Sequence, residues 1–165
     1  MKRNLLFLTT ALFVFLITSC TTENPGPNCG TIKFSWKANG TYFEGSSNYH
    51  FLPSGGFGHH TFGFSACTTG NAPSLSIRLK DPIQVGTYNL MDINDANSAF
   101  EGDGSYLDGT GSGYFGTDST HLGTLAITTF GTDSAITGTF SYSAKHSTSS
   151  SVLAITEGTF TTIPW

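Results

Sequence analysis

Apolar residues recur at every second position along most of the chain, most clearly over residues 136–144. There Ile136, Phe140 and Tyr142 fall on one side of an extended chain, and threonines and serines fall on the other. A period of two is the period of a half-buried β-strand and does not fit a helix. The region 121–161 therefore predicts three antiparallel strands separated by two polar turns.

The same alternation predicts six earlier strands, over residues 31–38, 41–44, 49–52, 60–66, 75–80 and 85–91. Asn39-Gly40 separates the first two and predicts a hairpin, because a type I′ turn needs positive φ at both central residues. In the last strand Phe160 lies an odd number of residues after Leu153, so the two side chains would point to opposite faces of a regular strand. One extra residue near Glu157-Gly158 would restore the face, so we expect a β-bulge there.

Residues 92–119 differ from the rest because they are rich in Gly, Asp, Asn and Ser. We expect one or two weak edge strands and the longest loops in this region, where binding residues are most often found. After residue 19, no run of ten or more residues shows a helical period or helix caps. The pattern predicts an antiparallel all-β domain of about eight to ten strands, closed as a barrel or folded as a sandwich.

The N-terminus has the pattern of a secretory signal. Lys2 and Arg3 precede an apolar run over 5–17, which is too short to span a bilayer. The segment Ile17-Thr18-Ser19-Cys20 resembles the bacterial lipobox, and the resemblance implies that Cys20 is diacylated and begins the mature chain. The alternative is an ordinary secreted protein that is cleaved nearby. We divide the chain into a signal peptide (1–19), a flexible tether (20–28) and one β domain (29–165).

Charge narrows the range of partners. Removal of Lys2 and Arg3 leaves five basic and eleven acidic residues, a formal net charge of −6. Such a charge argues against nucleic acid or anionic headgroups as partners. We expect the acyl chains on Cys20 to attach the protein to the cell envelope, at the outer membrane, facing either the periplasm or the cell surface.

Two cysteines remain once Cys20 carries lipid. Cys29 and Cys67 form an even pair in an oxidising compartment, which favours a disulfide. The alternative is two unpaired thiols.

Four segments resemble the signature of a family of small Bacteroidota lipoproteins of uncharacterised function. They are GTYNL at 86–90, LAIT at 125–128, ITGTFSYSA at 136–144 and ITEGTF at 155–160. The resemblance covers about half of the mature chain. It implies a secreted, lipid-anchored, calycin-like β domain and brings no known activity or catalytic residue.

The sequence offers little chemistry of the kind that enzymes use. It lacks the G-x-S-x-G nucleophile motif, and its five histidines are scattered. The segment 111–116 fits G-x-G-x-x-G, but that motif binds a pyrophosphate only between a strand and a helix, and no helix is predicted here. We therefore expect no enzymatic activity and no cofactor, and we keep an enzyme with loop-built chemistry as a third class.

A calcium site is a further candidate, at Asp92, Asn94 and Asp95, which place hard oxygen ligands close together. Ala96 stands where a third ligand of an alternating loop belongs, and no bidentate Glu follows. A solvated turn with Asx hydrogen bonds explains the same residues, so we assign no metal.

Aromatic residues are abundant, with fourteen Phe, six Tyr and two Trp. Most must belong to the core, but five lie beside glycines or in loops and are candidates for ligand binding: Tyr49, Phe57, Tyr106, Tyr114 and Phe115. We expect a domain that binds a small apolar ligand or a glycan. The competing hypothesis is a structural protein that docks a partner through an edge strand.

Overall fold

The computed structural model describes residues 33–46, 48–54, 59–68, 70–92, 101–111, 113–131 and 134–162, with backbone only over 48–54, 134–135 and 162. These residues form eleven strands and no helix, which confirms the all-β prediction. The strands are β1 (Phe34–Ala38), β2 (Thr41–Gly45), β3 (Asn48–Ser54), β4 (His59–Ser65), β5 (Ser74–Lys80), β6 (Gly86–Leu90), β7 (Gly102–Leu107), β8 (Tyr114–Gly116), β9 (Gly123–Gly131), β10 (Ser134–His146) and β11 (Val152–Thr162). Across the described ranges there is no helix long and apolar enough to cross a membrane.

All eleven strands belong to one sheet. Ten follow the order β2-β1-β11-β10-β9-β6-β7-β5-β4-β3, and the short β8 pairs with both β7 and β10. The pairings are antiparallel except where Leu90 of β6 lies beside Gly102 of β7 in parallel. The sheet is therefore mixed, which corrects the expectation of a purely antiparallel one.

The sheet folds over so that distant strands pack face to face. The Phe64 ring of β4 lies 5.2 Å from that of Phe34 in β1 and 5.7 Å from that of Phe140 in β10. Phe62 and Phe160 make a similar contact at 5.4 Å between β4 and β11. Because β4 and β10 are far apart in the strand order, these contacts place the hydrophobic core between two layers of one sheet.

Glycines opposite aromatic rings make this core compact. Gly138 pairs with Phe160, and Phe140 pairs with Gly158, on adjacent strands. A Cβ built on Gly138 would lie 2.6 Å from the Phe160 ring, and one built on Gly158 would overlap the Phe140 ring. Each ring therefore lies across the backbone of the opposite glycine, which gives a packing reason for glycine inside these strands.

Two local predictions are confirmed. Asn39 and Gly40 have φ of 46° and 84° and join β1 to β2 with Ala38 opposite Thr41, as a type I′ hairpin requires. In β11 the register with both neighbouring strands shifts by one residue around Glu157, whose φ is 53°. This bulge returns Phe160 to the buried face.

The prediction for β7 is wrong, because β7 lies inside the sheet and not at an edge. Its six residues pair with β5 along their whole length, and it also contacts β6 and β8. Gly102 and Gly104 provide the space: a Cβ on Gly104 would lie 3.1 Å from the Tyr142 ring. Glycines that indicated a weak edge strand thus permit close packing inside the sheet.

Candidate functional site

A polar cleft opens on the outer face of the sheet where β8 bridges β7 and β10. It encloses about 310 Å³. Its lining comes from four strands and from the segments that follow β6, β8 and β10: Arg78, Asp92, Asp103, Tyr114, Gly116, Thr117, Asp118, Lys145, His146 and Ser147. Six of these ten residues have an acidic, basic or histidine side chain (three Asp, one Arg, one Lys and one His), so the cleft presents charges of both signs.

One wall of the cleft is an ion pair between neighbouring strands. Arg78 of β5 lies directly opposite Asp103 of β7, and both side chains point away from the core. The guanidinium donates to both carboxylate oxygens, with Nε–Oδ1 at 2.8 Å and Nη2–Oδ2 at 2.6 Å. Such bidentate geometry fixes the orientation of both side chains as well as their charge.

Burial and the ion pair act on Asp103 in opposite directions. Desolvation raises the pKa of Asp103, while the hydrogen bonds and charge of Arg78 lower it, and the net direction is upward. The same hydrogen bonds raise the pKa of Arg78. Asp103 is thus a buried carboxylate that depends on its partner for its charge.

The rim after β8 is a tight turn built on Asp118. Its Oδ1 accepts the backbone N–H groups of Thr120 and His121 at 2.8 and 2.7 Å and the Thr120 hydroxyl at 2.8 Å. The Nδ1 of His121 lies 2.8 Å from the same oxygen. Desolvation opposes the effect of these donors, but together they hold the pKa of Asp118 far below its usual range. The rim therefore carries a fixed negative charge.

The floor of the cleft is bare backbone. Gly116 pairs with Ser105 of β7 on one side and with Lys145 of β10 on the other. A Cβ at Gly116 would meet only the Tyr114 ring, at 3.7 Å, which is an ordinary contact. The next residue, Thr117, is anchored because its hydroxyl donates to the Met91 carbonyl at 2.8 Å. The floor is thus well held and has room for larger side chains.

The opposite wall comes from the end of β10. Lys145 is exposed and lines the cleft, and the neighbouring His146 packs its ring edge-on against Phe115 at 4.9 Å. The backbone N–H of Thr148 donates to His146 Nδ1 at 3.1 Å, which assigns the ring proton to Nε2. Within the described residues, Lys145 forms no ion pair.

Three of the five predicted aromatic residues come together on β7 and β8. Tyr114 is 45 % exposed and lines the cleft. Tyr106 is buried, and Phe115 is partly buried against the core. Tyr49 lies in β3, where only the backbone is described, and Phe57 lies outside the described residues. Among the candidates whose side chains are described, Tyr114 is the one that lines the cleft.

The other predicted residues are only partly described. Asp92 lines the cleft, whereas Asn94 and Asp95 lie outside the described residues. In the part of the chain that is described, no three His, Cys, Asp or Glu side chains are placed to hold a metal ion. Cys20 and Cys29 also lie outside the described residues, so the Cys29–Cys67 disulfide stays a prediction. The backbone N–H of Cys67 donates to the Glu44 carbonyl.

Sequence reasoning missed most of the polar residues of the cleft. Arg78 and Lys145 are ordinary outward-facing positions of alternating strands, and Asp118 is one of many turn residues. The available signal was Asp103, a carboxylate that lies between Gly102 and Gly104 in a glycine-rich run. Recognising its partner required the register of β5 with β7.

This arrangement suits binding to a polar, uncharged molecule. Carboxylates accept hydrogen bonds from hydroxyl groups, and an ammonium group donates hydrogen bonds to hydroxyl oxygens. An exposed tyrosine ring offers an apolar platform. Both oxygens of Asp103 are already bonded to Arg78, and Asp118 Oδ1 is bonded within its own turn. Asp118 Oδ2, Lys145 and Tyr114 are among the lining groups that a ligand can reach.

The model of a domain of unknown function, DUF6252, matches residues 61–164. The matched region begins within β4 and contains every residue that lines the cleft. No curated protein and no solved structure matches the chain significantly.

Proposed function

Because the chain belongs to the DUF6252 family of domains of unknown function, we propose a function from its own residues: it is a lipid-anchored envelope protein that binds a glycan. The glycan binds in the cleft between β7 and β10, and the protein catalyses no reaction. One observation supports the proposal: the exposed Tyr114 ring lies beside charged groups of both signs, and the backbone at Gly116 forms the floor of the cleft.

The site favours a glycan over the small apolar ligand that the sequence left open. The space between the two layers is occupied by the rings of Phe34, Phe64 and Phe140 and their neighbours. The cleft on the outer face is polar. A pyranose can place its C–H face on Tyr114 and its hydroxyls on the surrounding carboxylates and Lys145, which is how polar groups orient a ligand on an aromatic surface.

The proposal also includes a lipid anchor on Cys20 and a calycin-like fold. The lipobox-like Ile17–Cys20 segment supports acylation of Cys20 and location at the outer membrane. The pairing of β8 with both β7 and β10 supports a calycin-like closed sheet, because it links β10, β9, β6, β7 and β8 in a circuit of paired strands.

Binding is tested with the full-length protein, purified in detergent from its own host. Native mass spectrometry should detect a co-purifying sugar, and a printed glycan array should identify a neutral polysaccharide. Tyr114→Ala removes the platform, and Gly116→Leu fills the cleft from its floor, where a Cβ makes only ordinary contact. Each should lower affinity about tenfold or more, equal to about 1.4 kcal/mol. Phe130→Ala, an exposed aromatic outside the cleft lining, is the control and should bind normally.

The proposal fails if no glycan binds, or if Gly116→Leu binds as well as the unaltered protein while retaining its melting temperature. The anchor has a separate test, labelling of cells with an alkyne fatty acid. The unaltered protein should take up the label and sediment with outer membranes, and Cys20→Ala should do neither. Label on Cys20→Ala would refute acylation at that residue.

Docking of a partner strand is the second candidate, because β3 stands last in the strand order and has one described neighbour, β4. The opposite end is less open, since the Glu44 carbonyl of β2 accepts the N–H of Cys67. A co-purifying peptide in the native mass spectrum, with no sugar, would favour this candidate over the first.

A further inference from the structure

The outer face of β10 leads away from the cleft. Buried Phe140, Tyr142 and Ala144 alternate with outward residues, which are Thr139, Ser141, Ser143 and Lys145. Lys145 lies in the cleft, so the other three form a row that leads away from it. Lys145 lies six residue steps along the strand from Thr139, a distance of about 20 Å.

Two further depressions lie along this row, of about 530 and 510 Å³. The first, next to the cleft, is lined by Asn89 and Leu122 as well as Ser143. The second ends at Tyr42, which is 56 % exposed. Both are lined by Thr124 and Ser141, so they form one shallow trough, which we call the β10 trough.

Among the described residues, the lining of the β10 trough mixes hydroxyl side chains with apolar surface and is almost uncharged. Hydroxyl side chains of Thr124 and Ser141 lie at its centre, and the charged lining residue, Glu157, is paired with Lys37 at 2.8 Å. At its far end the Tyr42 hydroxyl donates to Glu44 Oε2 at 2.8 Å, which holds the ring in place. Exposed tyrosines therefore mark both ends of the combined surface, Tyr114 in the cleft and Tyr42 in the β10 trough.

We infer that the ligand is an extended, neutral polysaccharide chain that runs from Tyr114 along β10 to Tyr42. This rests on the proposed glycan function and goes beyond it by assigning several sugar subsites. A polyhydroxylated chain without charge, whose sugar rings also have apolar C–H faces, matches a described surface of hydroxyl and apolar groups on which the Lys37–Glu157 pair is internal. A charged chain would find no compensating charge along the β10 trough, and a single sugar would use only the cleft.

The test measures affinity against chain length, with neutral oligosaccharides from xylan, mannan, cellulose and starch and charged oligosaccharides from polygalacturonic acid, from the monosaccharide to the hexasaccharide. The full-length protein in detergent is titrated by calorimetry. Affinity should rise with each added sugar until the chain spans the β10 trough. Tyr42→Ala should weaken binding of the hexasaccharide about threefold to tenfold, as loss of one aromatic platform does, and should leave the disaccharide unchanged.

Matched variants separate the two parts of the surface. Ser141→Phe places a ring in the middle of the β10 trough, where Ser141 is exposed, and should act like Tyr42→Ala. Tyr114→Ala should weaken binding of short and long chains alike, and Phe130→Ala should weaken neither. If affinity stops rising at the disaccharide and Tyr42→Ala changes nothing, the extended site is refuted while cleft binding stands. If only charged oligosaccharides bind, the neutral assignment is refuted. If none binds, the glycan function itself fails.

Discussion

The Arg78–Asp103 pair that forms one wall of the cleft should be a measurable source of stability. Replacing Arg78 with Met keeps the aliphatic stem and removes the guanidinium. Asp103 would then lose both charge-assisted hydrogen bonds, Nε–Oδ1 and Nη2–Oδ2. The variant leaves a buried carboxylate without its cation, which costs more than the pair itself contributes.

The size of the effect follows from exposure. Removing one partner of a fully buried ion pair costs about 3–5 kcal/mol. The Asp103 side chain is 10 % exposed but that of Arg78 is 40 % exposed, so water can partly replace the guanidinium. We therefore expect Arg78→Met to lower the free energy of unfolding by about 2–3 kcal/mol. Lys37→Met is the matched control, because it breaks the exposed pair with Glu157 and should cost at most about 1 kcal/mol.

The pH dependence gives an independent signature. Burial raises the pKa of Asp103 above its ordinary value even with Arg78 present, and loss of Arg78 should raise it further. A carboxyl with a raised pKa in the folded state stabilises the fold while it is protonated, and this contribution is lost as pH rises through that raised pKa. The stability difference between Arg78→Met and the unaltered protein should therefore grow from about pH 4 to about pH 7.

Urea unfolding of the full-length proteins at both pH values measures these differences, with the slope on urea as a check that the unfolded states are comparable. Adding Asp103→Asn to Arg78→Met should recover about half of the loss and remove its pH dependence, because the buried charge is gone. Equal losses for Arg78→Met and Lys37→Met, or an Arg78→Met loss that does not change with pH, would refute the reasoning.

Three further predictions concern the core, the rim and the disulfide. Gly158→Ala should destabilise the fold by about 1–3 kcal/mol in urea unfolding, because its Cβ overlaps the Phe140 ring, and Gly116→Ala should be near neutral. Asp118→Asn should lower the free energy of unfolding by about 0.5–1 kcal/mol at neutral pH. Since the folded pKa of Asp118 is lowered, the calorimetric melting curves of the variant and the unaltered protein should converge as pH falls below about 4. Cys67→Ser and Cys29→Ser should each cost about 3–4 kcal/mol under oxidising conditions, with no further loss in the double variant, whereas two independent losses would exclude a bridge.

The strands that could be predicted from the sequence are those whose inner residues are large. Along β10 and β11 the alternation of large apolar side chains with Ser and Thr is regular, and the bulge at Glu157 follows from a single parity error. The hairpin at Asn39-Gly40 was equally accessible, because positive φ is a local property of these residues. These features depend on neighbours in sequence and need no knowledge of the strand order.

The cleft could not be predicted, because its walls meet only through the strand order. Arg78 and Asp103 are 25 residues apart, and nothing local places β5 beside β7. The strand β7 was predicted only as a weak edge strand, because two of its inner positions, Gly102 and Gly104, are glycines, and Gly104 lies against the Tyr142 ring of β10. Glycine-rich composition indicated an edge between loops, whereas these glycines allow close packing inside the sheet.

Alternate residues of β10 specify the core on one side of the strand and the proposed binding surface on the other. Glycine and aromatic residues on its inner side bring the two layers together, and short hydroxyl side chains on its outer side keep the β10 trough shallow. The family match at 61–164 includes β10 and the whole cleft, whereas Tyr42 and Ser35 at the far end of the β10 trough precede it. Tyr42→Ala therefore tests a part of the proposed surface that lies outside the matched region, whereas Tyr114→Ala tests a part inside it.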